Sequence, residues 1–316
     1  KRSRSKEFEV IGTEGAQAAM TYVILTLINP GDEVIITDPG YFFFEPPIVM
    51  AGGKTKRINL NINNDYRIDL ESLKKKISHK TKMIIVCDPI NPFGTVQMKQ
   101  ELIEMVKIAN RRNIIIINNI THSFHRINPQ VKHYPITSLE NINLRNVIAV
   151  SGVAHGYGMA GVRIGFLAGH PELLRPILLT KSAITRINVS FLAQYAALAA
   201  LQDREYLKRS DIILRNNFSI LKGIIREMPV LSLVTEPSYG FSTCIDISKI
   251  KASCQELTVA LLKRRCAVYP SDGLGDAKAT SYIRINFSTP YEKHFAWLRE
   301  AFPEAIKEAE TRKERR

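Results

Sequence analysis

The sequence predicts an α/β fold: a large domain with a mostly parallel central sheet covered by helices, followed by a smaller C-terminal α+β domain. Three observations predict it. Apolar runs of strand length alternate with segments of helical spacing up to about residue 191. A long helical region then covers about 191–228 and connects the two parts. Half-buried strand patterns and helical segments alternate after it, so we expect the domains to span 1–205 and 206–316.

The elements of the large domain follow one another in a regular order. Residues 15–28 are apolar at helical spacing and end at a turn over 29–32. The run EVIITD at 33–38 is apolar throughout, which is typical of a strand covered on both faces. The same pattern predicts further strands at 81–88, 113–118, 146–151 and 163–169, and a helix at 98–112.

The smaller domain has a different pattern. GFSTCIDIS at 240–248 and YIRINFS at 282–288 read as strands with one buried face. Helical segments accompany them at 254–265 and 292–309. This mixture predicts an α+β arrangement rather than a continuation of the parallel sheet.

Charge and hydropathy argue against two classes of partner. The 316-residue chain has a formal net charge of +14, but its basic residues are spread along the chain and many lie beside acids. This distribution favours a solvated surface over a nucleic-acid interface. No apolar run reaches the roughly 20 residues needed to span a bilayer. We therefore expect neither nucleic acid nor a membrane as a partner.

Cysteine and histidine spacing bears on compartment and on metal binding. The cysteines show no paired spacing, which is typical of reduced thiols and indicates a cytoplasmic protein. They are Cys87, Cys244, Cys254 and Cys266. His122 and His125 form the short pattern HSFH, but no third ligand converges on them in sequence, so no metal site is predicted.

Polar side chains follow several of the predicted strands. Tyr41, Asn91, Asn118 and the segment 152–155 each come closely after an apolar run. In open α/β sheets, ligands bind outside the carboxyl ends of the parallel strands. The sequence therefore predicts that these residues meet in one site.

Five motifs occur in a fixed order over nearly the whole chain. They are TEGAQAAM, NPGDEVIITDPGY, DLESLKKKISHKTKMIIVCDPINPFGTV, GYGMAGVRIGF and YIRINFS. Together they resemble the class I/II aminotransferases, which are pyridoxal-phosphate enzymes of fold type I. The resemblance implies a cofactor-binding large domain and a substrate that is an amino acid or keto acid. It also implies that an N-terminal segment of the family, which precedes Lys1, is missing from this chain.

The resemblance implies a phosphate site and a ring site for the cofactor. The backbone N–H groups of Gly15, Ala16 and Gln17 would face the cofactor phosphate at a helix N-terminus. Arg163 matches the arginine that binds the same phosphate with a forked pair of hydrogen bonds. Tyr41 matches the aromatic residue that stacks on the pyridine ring.

Two further positions complete the implied set. Asn91 matches the asparagine that bonds the ring hydroxyl, and Arg284 matches the arginine that binds the α-carboxylate of the substrate. Each assignment has a plain structural alternative. Residues 15–17 could simply form a tight turn into a helix, Arg163 could be a surface arginine and Tyr41 a core aromatic residue. Asn91 could be a turn asparagine and Arg284 an exposed charge on an edge strand.

This sequence departs from the family pattern at the residues that carry out the family's chemistry. His155 stands eight residues before Arg163, where the family has the lysine that forms a Schiff base with the cofactor. Asn118 stands where an aspartate pairs with the protonated pyridine nitrogen, and Thr121 stands where a tyrosine bonds the ring hydroxyl. Gly152 replaces a phosphate-binding serine.

These departures have physical consequences. Imidazole forms no stable Schiff base, so pyridoxal phosphate or pyridoxamine phosphate would be held non-covalently. A neutral Asn118 would not stabilise a pyridinium, so the ring would be a weak electron sink. His155 could still act as a general base near neutral pH.

Three functions follow as alternatives. The first is an altered enzyme that uses His155 for elimination or proton transfer. The second is a non-catalytic binding protein or subunit, and the third is a conventional amino-acid aminotransferase. The segment TRINVS at 185–190 also resembles one that approaches a neighbouring active site, so we expect a homodimer.

Overall fold

The computed structural model describes residues 8–186, 189–275 and 281–314, with side chains described up to 311. Within these residues, one sheet contains β1 Glu9–Thr13, β2 Glu33–Asp38, β3 Lys54–Asn59, β4 Thr81–Cys87, β5 Ile115–Asn119, β6 Val147–Gly152 and β7 Gly165–Gly169. A second sheet contains β8 Ser232–Leu233, β9 Ser242–Asp246, β10 Tyr269–Pro270 and β11 Tyr282–Asn286.

The helices surround these two sheets. Those of the first part are α1 Ala16–Leu27, α2 Glu45–Met50, α3 Leu70–Lys76, α4 Lys99–Arg112, α5 Val153–Gly156 and α6 Pro171–Thr185. Those of the second part are α7 Phe191–Gln202, α8 Arg204–Arg226, α9 Cys254–Lys263 and α10 Lys293–Glu314. None of the described helices is long and apolar enough to cross a bilayer.

The large sheet is mostly parallel, as predicted. Its order is β1-β7-β6-β5-β4-β2-β3, and the pairs from β3 through β6 are parallel. β7 runs antiparallel to β6 and to β1. The last residues of β4 and β5 are in register, because Cys87 pairs with Asn119, and Asn119 pairs with Val150 near the end of β6. These strand ends form the edge at which the candidate site lies.

Helices cover both faces of this sheet, which explains the uninterrupted apolar runs. One face packs against α1 and α6 through residues such as Ile85 and Ile117, and the other packs against α3 and α4 through Ile84 and Ile116. All four isoleucines are almost completely buried. Burial of such a side chain contributes about 1.5–3 kcal/mol.

The second sheet is antiparallel and has its own core. Its order is β10-β11-β9-β8. Apolar residues of α8, α9 and α10 pack on it, among them Leu221, Leu257 and Phe302, each fully buried. The predicted combination of a large parallel-sheet part and a smaller C-terminal α+β part is therefore confirmed.

The structure contains elements that the sequence did not predict, and two strands and one helix break are the clearest cases. β1 and β3 were not predicted, because EVIGT is short and KTKRIN is charged. The predicted helical region over 191–228 is divided at Asp203, whose side chain accepts a hydrogen bond from the Tyr206 N–H at 2.9 Å. An N-terminal cap of this kind starts a new helix, so α7 and α8 are separate.

Candidate functional site

A cavity of about 250 Å³ lies at the carboxyl ends of β4, β5 and β6, beside the start of α1. It brings together most of the residues that the sequence singled out. From the loops and strand ends come Ala16, Gln17, Tyr41, Asn91, Thr121 and His155, and two arginines, Arg163 and Arg284, complete the set. Gly15 borders the cavity as the residue that caps α1.

The start of α1 presents free backbone donors to the cavity. Gly15 adopts φ 101° and ψ 164°, a conformation that is essentially restricted to glycine. No side chain caps the helix, and its first N–H groups have no partner within the helix. The Thr13 hydroxyl holds the turn by donating to the Gly15 carbonyl at 3.0 Å. This end of the cavity therefore suits an anion.

Arg163 packs directly against this helix start. Its Nη1 donates to the Ala160 carbonyl at 2.9 Å, and a Cβ placed on Gly15 would lie only 2.5 Å from its Nη2. A Cβ on Gly165 would lie 2.6 Å from the Ala16 nitrogen. The two glycines thus permit the close approach of the guanidinium and the helix. Within the described residues, Arg163 has no acidic partner, which leaves its charge available to a ligand.

The middle of the cavity is lined by Tyr41, Cys87 and Asn91. Burial raises the pKa of the Cys87 thiol to about 12, so the thiol is neutral at physiological pH. Asn91 is buried, and its Oδ1 has no hydrogen-bond partner among the described residues. An unpartnered buried amide oxygen is costly, and a ligand hydroxyl could satisfy it.

Asn118, which the resemblance places at the ring nitrogen, does not line this cavity. Successive residues of a strand point to opposite faces, and Asn118 lies on the α3 and α4 face, where its Oδ1 accepts the Ile136 N–H at 2.9 Å. Asn119 lies on the other face and lines the cavity. Its Oδ1 accepts from the Thr121 backbone N–H at 3.1 Å and from the Thr121 hydroxyl at 2.7 Å. The strand-end amide of the site is therefore Asn119.

His122 is a cavity residue that the sequence analysis did not assign to the site. Its ring lies 4.9 Å from that of His155, centroid to centroid, and the Phe241 ring lies 5.1 Å from each of them. His125, the other histidine of HSFH, turns away and bonds Asp211 of α8 through Nδ1 at 3.0 Å. Within the described part of the chain, no group of three or more potential ligands is arranged to hold a metal.

Both cavity histidines are biased towards the neutral form. Desolvation, followed by the positive charges of Arg284 and His125, lowers the pKa of His155 to about 4. Desolvation and the neighbouring His155 lower the pKa of the more deeply buried His122 well below its usual value. At neutral pH both imidazoles can therefore accept a proton but carry no charge.

Arg284 forms the opposite wall from β11. Its Nε donates to the Ser242 hydroxyl at 3.1 Å, which fixes the side chain. Burial lowers the pKa of its guanidinium, but no acidic residue pairs with it among the residues described. Among the described residues, the cavity lining holds two arginines and two histidines and no aspartate, glutamate or lysine. It therefore suits a ligand with negative charge at both ends.

The segment after β5 ties the cavity to the C-terminal part of the chain. The Gly240 N–H donates to the His125 carbonyl at 2.9 Å, and Arg215 Nε of α8 donates to the Arg126 carbonyl at 2.9 Å. Arg284 reaches the cavity from β11 of the small sheet. Phe241, directly before β9, packs on His155. Both parts of the fold thus supply the walls of the site.

Comparison with known proteins adds an independent observation. The family model for aminotransferase class I and II matches residues 2–296. A probable aspartate aminotransferase of Methanocaldococcus jannaschii is 32% identical over 297 residues, covering 90% of this chain and 74% of that protein. An aspartate aminotransferase of Pyrococcus abyssi is 29% identical over 287 residues, covering 90% and 73%. The crystal structure of an aromatic aminotransferase from Pyrococcus horikoshii matches with a TM-score of 0.85 and 25% identity, covering 95% of this chain and 79% of that one.

Proposed function

Because the chain belongs to the aminotransferase class I and II family, whose cofactor is pyridoxal 5′-phosphate, we propose that its cavity holds this cofactor or pyridoxamine 5′-phosphate non-covalently. We propose that it acts on an amino acid or a related carboxylate by lysine-independent elimination or proton transfer. One observation carries the proposal: His155 lines a cavity to which none of the described residues contributes a lysine.

The cavity residues fit the cofactor at both of its polar ends. The free N–H groups at the start of α1 and the guanidinium of Arg163 would hold the phosphate. Tyr41 would cover the ring, and the unpartnered Oδ1 of Asn91 would accept from the ring hydroxyl. Arg284 would bind the α-carboxylate of the substrate, since no described acid competes for it. When bound, the cofactor supplies an electron sink for a carbanion.

Lysine chemistry has no obvious substitute in this site. Lys181 is buried and lies near the start of α1, but its Nζ is 3.5 Å from Glu14 Oε1, and it does not line the cavity. His155 is unprotonated at neutral pH, since desolvation lowers its pKa to about 4, so its ring nitrogen is free to take up a proton. It cannot form the covalent bond that a lysine amine forms. We therefore assign it the role of general base at the reacting carbon.

The first test is a direct measurement of cofactor binding. Equilibrium dialysis with pyridoxal phosphate and with pyridoxamine phosphate should show one site per chain for both, and both should leave on further dialysis. Borohydride treatment followed by mass spectrometry should give no stoichiometric adduct. A single stoichiometric adduct on one lysine would refute the non-covalent site and would favour a conventional aminotransferase.

Two alternative functions keep specific support. The curated relatives named above are aspartate aminotransferases, which favours conventional transamination of an amino acid. The replacement of lysine by His155 favours a non-catalytic binding protein or subunit. Exchange of the substrate α-proton with solvent separates the possibilities, because a binding protein should show none above the rate without protein.

We also propose that the chain forms a homodimer. An apolar groove, here called the α7 groove, lies between β1, α6 and α7 and has a volume of about 890 Å³. Phe191, Tyr195 and Leu198 of α7 line it and are more than half exposed. So much exposed apolar surface in one region is typical of an interface, and a second copy is the simplest occupant. In TRINVS, residues 187 and 188 lie outside the described residues.

The remaining proposals concern the cellular location of the protein and its division into domains. We propose a cytoplasmic location, because the structure contains free cysteines at 87, 244, 254 and 266. We also propose the division into domains at 1–205 and 206–316, since α8 packs with the small sheet through Leu214, Phe218 and Leu221.

A further inference from the structure

The amide of Asn119 has a defined orientation. Its Oδ1 accepts two hydrogen bonds from Thr121, one from the backbone N–H and one from the hydroxyl. Rotation of the amide by half a turn would place its NH₂ group against the Thr121 backbone N–H. Two donors would then face each other, so that orientation is strongly disfavoured. The backbone donor therefore fixes which end of the amide is turned away from Thr121.

The end that remains is a hydrogen-bond donor. Nδ2 of Asn119 makes no hydrogen bond to any described group, and Asn119 lines the cavity. A ligand atom beside Nδ2 must therefore accept a hydrogen bond, because a second donor there would leave both groups unsatisfied. In the part of the chain that the structure describes, no carboxylate lines the cavity to reverse this preference.

We propose that Asn119 donates a hydrogen bond from Nδ2 to the unprotonated ring nitrogen of the bound cofactor and so selects its neutral pyridine form. The proposal rests on the proposed function, since it requires the cofactor to bind. By resemblance, a residue at the end of this strand faces the ring nitrogen. The sequence assigns that place to Asn118, whereas Asn119 is the β5 residue that lines the cavity. Thr121 acts as the positioning residue for Asn119.

The consequence is a site in which the ring nitrogen keeps its lone pair. A pyridinium N–H would meet the Asn119 NH₂ group, and the arginines and histidines around it would further disfavour a positive ring. A neutral ring withdraws electrons weakly. The site therefore favours proton transfers at positions that are already activated over deep stabilisation of a carbanion.

The test uses pyridoxamine phosphate and its N-methylpyridinium derivative. Pyridoxamine phosphate has no aldehyde, so it forms no adducts with surface lysines. The wild-type chain should bind the parent compound at least about tenfold more tightly than the methylated one. With ¹⁵N in the ring, the bound parent compound should show the chemical shift of neutral pyridine at pH 7.

The isosteric variant Asn119→Asp separates charge from shape. Its carboxylate keeps the Thr121 hydrogen bonds and offers an acceptor to the ring, so the preference for the parent compound should fall by about tenfold and the ¹⁵N shift should move to the pyridinium value. Asn118→Asp on the same strand is the comparison variant and should leave the preference and the shift as in wild type.

The outcomes separate this proposal from the proposed function. If wild type binds no pyridoxamine phosphate, the proposed function fails and this inference fails with it. If wild type binds it as a pyridinium, or binds both compounds equally, only the role of Asn119 is refuted. A response to Asn118→Asp in place of Asn119→Asp would also refute it. The wild-type measurements decide the matter even if a variant fails to fold.

Discussion

The imidazole rings of His122 and His155 lie side by side, with centroids 4.9 Å apart and planes inclined by 36°. His122 lies in the turn after β5 and His155 lies in the short helix α5, and Phe241 approaches both. Neighbouring imidazoles in a desolvated cavity resist protonation, since each added charge is buried and close to Arg284. The site therefore contains two neutral bases at neutral pH.

The first prediction concerns catalysis by His155. Replacement of His155 by alanine should slow exchange of the substrate α-proton by roughly 10²–10⁴-fold, because a positioned general base contributes about that much. Affinity for pyridoxamine phosphate should stay within a few-fold, since the phosphate and ring contacts are untouched. NMR detection of deuterium incorporation measures the rate. The exposed His79→Ala is the control. Equal rates in wild type and His155→Ala would mean that the catalytic centre lies elsewhere.

A second prediction concerns stability against acid. The folded-state pKa values of His122 and His155 lie below the ordinary value of 6.5, and that of His155 is about 4. The unfolded chain therefore binds more protons in this range, and the free energy of unfolding should fall as the pH drops from about 6.5 towards 4.

His122→Phe should reduce this pH dependence, because phenylalanine can stack on Phe241 as His122 does and does not titrate. Urea unfolding between pH 7.5 and 4.5 measures the effect. His79→Phe, at an exposed position, should leave the slope unchanged. An identical slope in wild type and His122→Phe would show that His122 is not held neutral by the fold.

A third prediction concerns Gly15 and the phosphate end of the cavity. Gly15→Ala should destabilise the fold by about 1–3 kcal/mol through its backbone conformation. It should also weaken phosphate-ester binding, because the new Cβ would lie 2.5 Å from Arg163 Nη2. Two controls separate these effects. Gly31 has φ 89° but no neighbour within 4 Å, and Gly161 has neither constraint.

Thermal unfolding and equilibrium dialysis give the two readouts. Gly31→Ala should lose stability and keep cofactor affinity, whereas Gly161→Ala should keep both. If Gly15→Ala binds pyridoxamine phosphate as wild type does, Arg163 and the start of α1 do not form the phosphate site.

A fourth prediction concerns restoration of family chemistry. His155→Lys should form a covalent linkage with pyridoxal phosphate that borohydride traps and mass spectrometry detects, yet transamination should stay slow. Adding Asn119→Asp should raise the rate by roughly 10²-fold, since the carboxylate would stabilise charge developing in the ring. Adding Asn118→Asp should not. The two changes should be non-additive because both act on one carbanion.

The fifth prediction concerns assembly. Leu198→Glu should convert a dimer into a monomer at micromolar concentration, because it places a charge in the α7 groove. Leu262→Glu is the matched control: Leu262 is also exposed, at 59% against 54% for Leu198, but lies on α9. Sedimentation velocity measures both. A wild-type monomer would refute the dimer outright.

Much of the fold could be predicted from the hydropathy pattern and from the order of the motifs. The runs at 33–38, 81–88 and 113–118 became buried strands because both of their faces are covered, which makes the sequence pattern strong. The family, predicted from five motifs, was confirmed by the family model. β3 was missed because an edge strand needs few apolar residues, and its burial pattern is mixed.

The site was harder to predict where two identical residues adjoin. Asn118 and Asn119 differ only in which face of β5 they occupy, and a shift of one residue exchanges those faces. Sequence alone left that register open. In sequence, His122 stands out only through the pattern HSFH that it shares with His125. Residues 121–124 form a turn, so the two side chains diverge. Asn119 and His122 are three residues apart, and this spacing is the sequence signal that could have placed His122 in the site.

The hydrogen bonds from Gly240 to His125 and from Arg215 to Arg126 have a thermodynamic consequence. A ligand enclosed between Arg163 and Arg284 contacts both sheets, so each bound molecule couples the melting of one to the melting of the other. At a hundredfold excess over its dissociation constant it adds about 2.7 kcal/mol to that shared stability. If the two parts of the fold unfold in separate calorimetric transitions, saturation of the site with ligand should merge these transitions into one. The bound cofactor would then hold the two parts of the fold together.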